Sequence, residues 1–306
     1  MRMRTVAPAK INWTLEVLGR RDDGYHEIRS VMQTIDLCDE VSAEQTSKPS
    51  YEAMDGTPLV EEDLVVRAAA ALEERVGCRL PVAVRLEKRI PVASGLGGGS
   101  SDAAAVLRLV NEVYSLGLTS EDLAAVGASV GSDVPFFIYG GTALVEGRGE
   151  RVRPLPDALE RWLLIGVPAV SVPGKTRRMY ESLRSEDFTN GKWSNRAIAK
   201  LRTRAGPTTV DGYNVFQVRA YVVFGEPLMK LGDALLYAGA KTFGVAGSGP
   251  AIWASVDSRD EAESLIQKIR AFAIGDFRGA EANLMIARTL PAAEATAIVE
   301  SRAPSR

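Results

Sequence analysis

The chain of 306 residues is poor in the side chains that carry chemistry unaided. His26 is its only histidine, so a metal centre built on several imidazoles is excluded, and a Ser-His-Asp triad would have to use that one residue. Its two cysteines, Cys38 and Cys78, stand far apart and form no CxxC pair. That argues against a disulfide framework and fits a reducing cytoplasm. No run approaches the roughly 18 apolar residues of a membrane helix, and the basic start MRMRTVAPAKINW lacks the apolar core of a secretion signal. Charge of one sign is missing too. The 37 Lys and Arg against 39 Asp and Glu leave −2 overall, with only short scattered basic clusters, so nucleic acid is not the expected partner. The expectation is a cytoplasmic protein acting on small molecules, with no membrane and no nucleic acid involved.

The length suits two domains of ordinary size or one large one, and the pattern of what is present is mixed α+β, starting afresh near Pro154–Pro156, so the expected units are residues 1–155 and 156–300. Ile11, Trp13, Leu15 and Val17 alternate along KINWTLEVL, which predicts a half-buried strand with those four on one face. Asp23-Gly24 predicts a tight turn into SVMQTID and DEVSAEQ, both strand-like. Helical spacing runs over 62–76, a strand over 82–88, and helices from Ser101 to Tyr114 and from an N-cap at Thr119 to about Val130. FFIYGG, TALVEG and RVRPL are expected as short strands. In the second half, WLLIGVP predicts a buried strand, with helices near 174–184, 195–203, 227–238 and 259–273. GVAGSGPAIWASV predicts strand, glycine turn and strand, and a last strand falls near 280–287. The polar stretch 185–213 shows no clear period, and the tail after about 300 is expected to fray.

The segment PVASGLGGGSSDAAA, Pro91 to Ala105, stands out. A helix N-terminus offers free N–H groups and the positive end of the helix dipole, and glycines before it let a phosphate approach the backbone. The candidate cradle is Pro91, Val92, Ala93, Ser94, Gly95, Leu96, Gly97, Gly98, Gly99, Ser100 and Ser101, its two serines offering hydroxyls to phosphate or to Mg²⁺. It is neither GxxxxGK[ST] nor the dinucleotide fingerprint. Its bland alternative is a flexible linker; Asp102 is either a helix-start acid or a metal ligand. The segment contains no lysine, so charge has to come from elsewhere. Lys10 in PAKIN and Asp133 in SVGSDVPFF are the candidates, each with an ordinary reading as surface lysine and as turn or cap. Paired across a phosphate, the lysine would supply charge and the carboxylate would orient an attacking hydroxyl and accept its proton. Tyr25 and His26 are either an ordinary hairpin end or a stacking and pairing site for a base.

PAKIN, PVASGLGGGSSDA and GVAGSGPAIWA stand in the order of the three motifs of the GHMP kinases, and the chain resembles that family. With DGYH and GSDVPFF added, it resembles in particular the branch whose substrate is a cytidine diphosphate derivative of methylerythritol, on the non-mevalonate route to isoprenoids. The match runs from about residue 5 to about 290 and is poor over 185–213. The resemblance implies an N-terminal domain like ribosomal S5 domain 2, a ferredoxin-like C-terminal domain and an active site in the cleft between them. It implies ATP as co-substrate with Mg²⁺, whose protein ligands stay unknown. Lys10 and Asp133 fall on the family's catalytic pair, and Pro91 to Ser101 on its ATP segment. Asn12, Tyr25, His26, Tyr180, Gly247 and Ser248 fall at or near its substrate positions, although Tyr180 also suits a helix core and Gly247-Ser248-Gly249 a structural turn. The chain departs from the family at Gln217, where an acidic residue usually follows Asn214 three positions on. Two rivals remain: a mevalonate-type kinase or decarboxylase of the same fold, and a non-catalytic nucleotide sensor.

Overall fold

Two long strands organise the computed structural model, which describes residues 2–202, 212–274 and 282–300. Residues 203–211 of the polar stretch and the tail after 300 lie outside the described residues. β1 (Arg2–Arg20) and β2 (His26–Gln45) pair antiparallel almost throughout, joined by the turn in which Asp23 accepts from the Tyr25 N–H and Gly24 has φ +83°. SVMQTID and DEVSAEQ are thus one strand. There follow β3 (Ser50–Ala53), α1 (Leu64–Val76), β4 (Val82–Glu87), α2 (Gly98–Val113), α3 (Ser120–Val130), α4 (Val134–Tyr139), β5 (Thr142–Gly147) and β6 (Arg151–Pro154). The second half holds β7 (Trp162–Pro168), α5 (Lys175–Glu181), α6 (Lys192–Arg202), β8 (Tyr213–Asn214), α7 (Gln217–Phe224) and α8 (Glu226–Ala238). It continues with β9 (Phe243–Val245), β10 (Ile252–Val256), α9 (Arg259–Ile274), β11 (Ala282–Arg288), α10 (Ala292–Ala295) and β12 (Ile298–Glu300).

The first sheet runs β12-β1-β2-β4-β3, with β5 on β2, β6 on β5 and β8 on β1; the second is the antiparallel array β11-β7-β10-β9. β2 serves β5 with residues 28–33 and β4 with residues 40–45, so one strand links the turn at Gly24 to the helical layer. Helices α1 to α4 pack together with α2 against β1 and β2, while α8 and α9 cover β7. β8 and β12 come from the second half of the chain yet join the first sheet.

Three local expectations change. β1 is buried on both faces from Ala7 to Val17, not on one. Its register against β2 steps between Asn12 and Thr14, and an extra residue there exchanges the faces of the strand. Ile11 and Trp13 therefore pack in one apolar cluster and Leu15 and Val17 in another. FFIYGG is not a strand: Phe136 to Tyr139 belong to the helix α4, which Pro135 opens and in which residues 134–138 are buried. Short apolar runs fit either state, and proline in a first helical turn tips the choice. Asp133 accordingly lies between two helices. Finally, α2 starts at Gly98, three residues before the expected Ser101, so the glycine run forms its first turn.

Candidate active site

The step in β1 turns Lys10, Asn12 and Leu15 to one cavity, of about 860 Å³, and hands Thr14 and Glu16 to the other side. There the Glu16 carboxylate accepts from the Ser194 N–H (2.8 Å) and hydroxyl (2.7 Å) in the first turn of α6. Lys10 is 3% exposed. Its ammonium donates to Asn12 Oδ1 at 2.9 Å and lies 3.9 Å from Asp133 Oδ2. Asn12 Oδ1 also accepts from the Gly247 N–H (2.9 Å), and its amide donates to Ser30 Oγ (2.8 Å), which donates to Thr14 O (2.6 Å). This chain fixes which end of the Asn12 amide faces Lys10. Gly247 has φ +54°, and a Cβ there would sit 2.8 Å from Lys10 Nζ, so a side chain would displace the ammonium. Burial holds the Lys10 pKa below the usual lysine range, and the Asp133 charge works against that.

Asp133 occupies the N-cap of α4, but its side chain makes no capping bond. The carboxylate instead faces Lys10, one-third exposed on the cavity wall. The glycine segment approaches from the same side. Lys10 N–H donates to Leu96 O at 2.9 Å, and Gly95 and Gly97 line the cavity with φ +92° and +80°. A Cβ on Gly97 would meet the Phe137 ring at 2.7 Å, and one on Gly95 the Ala246 carbonyl at 2.3 Å. The second contact, with Ala251 N–H donating to Ser94 O (2.8 Å), joins the glycine segment to the turn 246–250. Not every residue of Pro91 to Ser101 faces the cavity. Val92 is exposed, Leu96 packs in an apolar cluster, and the Ser94 hydroxyl donates to Pro91 O (2.7 Å). Gly98 opens α2 without a positive φ, its missing Cβ facing Ile90 and Lys88; Gly99 faces Leu64, and Ser100 is half-buried. Ser101 is buried, and its hydroxyl has no hydrogen-bond partner among the described residues.

The same cavity is lined by Tyr25, His26 and Tyr180. The rings of His26 and Tyr180 are 5.1 Å apart and inclined at 32°, Phe216 meets Tyr180 edge-on at 4.9 Å, and His26 Nε2 is buried without a partner. Tyr25 is 53% exposed at the rim, with the Arg148 guanidinium 5.2 Å from its ring centre. Burial lowers the His26 pKa, and nearby Arg20 adds to that, which favours the neutral imidazole. Ser248, beside Gly247, shares a 3.1 Å hydroxyl contact with Thr176. Among the described residues the wall carries Lys10, Arg20, Arg148, Lys175 and Arg177 against Asp133 and Glu181, a balance suited to a polyanion.

Sequence reasoning missed two lysines. Lys88 stands three residues before Pro91; its ammonium donates to Asp39 and, at 2.6 Å, to Asp102 Oδ2, beneath the first turn of α2. Asp102 is therefore a buried partner of a lysine, with Oδ1 unpaired. Lys175, in VPGKTRR, lines the cavity and donates to Gly249 O. Lys88 opens the string KRIPVASGLGGGSSDAA and Lys175 stands in no motif, and only the fold shows what each of them touches. Gln217, the departure noted above, accepts the Val245 N–H at 2.9 Å through its amide oxygen, an acceptor role that a carboxylate would fill equally. Asn214 beside it donates to Val245 O (2.8 Å) and Gly247 O (2.9 Å), holding the turn.

The family model described as GHMP kinases N terminal domain matches residues 63–141, which include the glycine segment and Asp133. A Dehalococcoides mccartyi protein named 4-diphosphocytidyl-2-C-methyl-D-erythritol kinase is 39% identical over 265 residues, 86% of this chain and 93% of its own. The chain belongs to that kinase family. A Geobacter metallireducens kinase of the same name is 38% identical over 269 residues, covering 86% of this chain and 92% of its own. The crystal structure of a 4-(cytidine 5'-diphospho)-2C-methyl-D-erythritol kinase superposes with a TM-score of 0.76 at 30% identity, over 94% of this chain and 98% of that one. The fold is thus the α+β GHMP kinase fold, as the three motifs implied. No described helix is long and apolar enough to cross a membrane.

Proposed function

We propose that the chain transfers the γ-phosphoryl group of ATP to the 2-hydroxyl of 4-diphosphocytidyl-2-C-methyl-D-erythritol, on the non-mevalonate route to isoprenoid precursors. The observation that carries this is one cavity lined both by a charged set of residues at two glycines and by an aromatic set. In the first, Lys10 and Asp133 lie 3.9 Å apart beside Gly95 and Gly97; in the second, His26 presents an unpartnered Nε2 among aromatic rings. Family membership at 39% and 38% identity supports the same substrate. On this reading residues 1–155 and 156–300 act as two domains with the site between them.

Phosphoryl transfer runs through a loose transition state, so charge and alignment matter more than a strong base. Asp133 orients the substrate hydroxyl and takes its proton as the new O–P bond forms and the bond to the ADP oxygen breaks. Lys10, kept in place by Asn12, offsets the charge that builds on the transferred group. The N–H groups of the first turn of α2 hold the remaining phosphates. Mg²⁺ belongs with ATP, where it would neutralise phosphate charge. The buried Ser101 hydroxyl, without a partner among the described residues, is a hard oxygen donor that fits such an ion, whereas the described residues hold no group of three or more His, Cys, Asp or Glu that could bind a metal ion. A cytoplasmic setting agrees with the two unpaired thiols, Cys38 and Cys78.

The test is incubation of the purified protein with ATP and a panel of alcohols: the cytidyl substrate, its uridyl analogue, mevalonate, diphosphomevalonate and homoserine. The expected outcome is a phosphorylated product from the cytidyl substrate alone. Release of CO₂ from diphosphomevalonate, or ATP binding without any phosphorylated product, would replace this reading with one of its rivals.

A further inference from the structure

Lys175 takes part in none of the steps above. It opens α5, half-buried, and lines the same cavity as Lys10 and Asp133. Among the described residues its ammonium makes one hydrogen bond, to the neutral carbonyl of Gly249. That carbonyl sits on the seam between the two glycine turns, 2.9 Å from where Gly95 would carry a Cβ. The next residue, Thr176, meets Ser248 of the same turn, so α5 is fastened to the seam at two points. The charges around Lys175 do not balance. Lys10 of β1 faces it with the same sign, and Asp133, from the link between α3 and α4, is the carboxylate that works on both lysines. On its own helix Arg177 is paired with Glu181, and on α7, which packs against α5, Arg219 is paired with Asp187. Two ammonium groups that share the influence of one carboxylate are short of negative charge, and an anion completes the set.

We propose that Lys175 is a second phosphate-binding cation of this site, taking anionic oxygens at the seam of the two glycine turns while Lys10 faces Asp133. The inference rests on the kinase reading for the identity of the anion, the phosphate chain of ATP. A lysine that merely fastened α5 to a carbonyl would not need to be charged, whereas a phosphate ligand does. Burial, with the Lys10 charge second, brings the Lys175 pKa down to about 8, so its charge is lost within the range in which enzymes are assayed. The sign is definite: the ammonium form exists below that value, so affinity for the phosphate chain falls as pH rises through it.

The experiment compares wild type, Lys175→Met and Lys175→Arg. It follows kcat/KM for ATP and the dissociation constant of a non-hydrolysable β,γ-imido ATP analogue from about pH 6 to about pH 10. Wild type should lose analogue affinity and kcat/KM above about pH 8. Lys175→Met should be about 10- to 100-fold weaker at neutral pH and lack that alkaline limb. Lys175→Arg, charged throughout, should keep most of the affinity and also lack the limb. Circular dichroism checks folding of both variants. An analogue affinity in Lys175→Met within about twofold of wild type, or an unchanged alkaline limb, overturns the proposal. The binding measurement needs no alcohol substrate, so it decides on Lys175 even if the cytidyl compound proves not to be phosphorylated.

Discussion

At the scale of single residues, the two tyrosines proposed to meet the base differ in their surroundings. Tyr180 is held between His26 and Phe216, and burial pushes its phenol pKa well above the usual range, so it stays neutral. Tyr25 is open at the rim with Arg148 near its ring. A base entering against His26 gains a free ring face from Tyr25 at little cost in rearrangement. Tyr25→Ala should therefore raise KM for the cytidyl substrate by the equivalent of about 1–3 kcal/mol and leave KM for ATP almost unchanged. Tyr25→Phe, keeping the ring, should lose little. Steady-state kinetics on both substrates checks this, and equal losses for ATP and the cytidyl compound would leave Tyr25 as a support of the hairpin. Lys10, Asp133, Tyr25 and His26 could all be picked from the sequence, because each stands in a short recognisable string. Lys88 and Lys175 could not, since their importance comes from what the fold sets beside them.

At the scale of the element, the first turn of α2 is the most informative. It is entered through a left-handed Gly97, which lines the cavity, it starts at Gly98, and in its first turns Asp102 is bridged by Lys88 to Asp39. Burial pushes the Asp102 carboxyl up to about 8, with the Lys88 charge pulling the other way. In the unfolded chain the same carboxyl ionises near pH 4. Between those values the folded chain holds a proton that the unfolded chain lacks. The contribution of Asp102 to stability therefore falls as pH rises from about 4 to about 8 and is level above that. Asp102→Asn removes this slope. Beyond a constant offset from the altered bond to Lys88, the variant should gain steadily on wild type as pH rises from about 5 to about 8. Urea unfolding at several pH values measures it, and parallel curves would mean that Asp102 is ionised in the folded protein. The sequence made the helix legible but not its start, because glycine has low helix propensity and only the packed fold holds Gly98 and Gly99 in a helical turn. The alternation in β1 was legible as a strand, but the extra residue after Asn12 was not. That step decides which side chains see the cavity, and no change of period announces it.

At the scale of the whole molecule, the site exists only because three separate parts meet. Lys10 comes from the central strand of the first sheet, Asp133 from the helical layer over it, and Gly247 from the turn between two strands of the second. Their order along the chain carried the family resemblance and with it the expected fold. Distances between parts more than a hundred residues apart cannot be read from spacing. They follow from β1 and β2 carrying the helical layer, from β8 pairing along β1, and from Gly95 admitting the turn 246–250 at a distance no side chain would allow. On the proposed reading this meeting point moves a phosphoryl group from ATP to the 2-hydroxyl of the cytidyl alcohol, with Asp133 aligning the hydroxyl beside Lys10. The most direct measurement is the rate at which wild type and Asp133→Asn form that product, located by phosphorus NMR, with nucleotide affinity measured on the same samples. Wild type should place the new phosphate on the 2-hydroxyl. Asp133→Asn should bind nucleotide normally and turn over slower by about 100-fold or more, because the amide can neither take the proton nor carry the charge. A folded Asp133→Asn protein turning over within a few-fold of wild type, or a phosphate found elsewhere on the product, would contradict it.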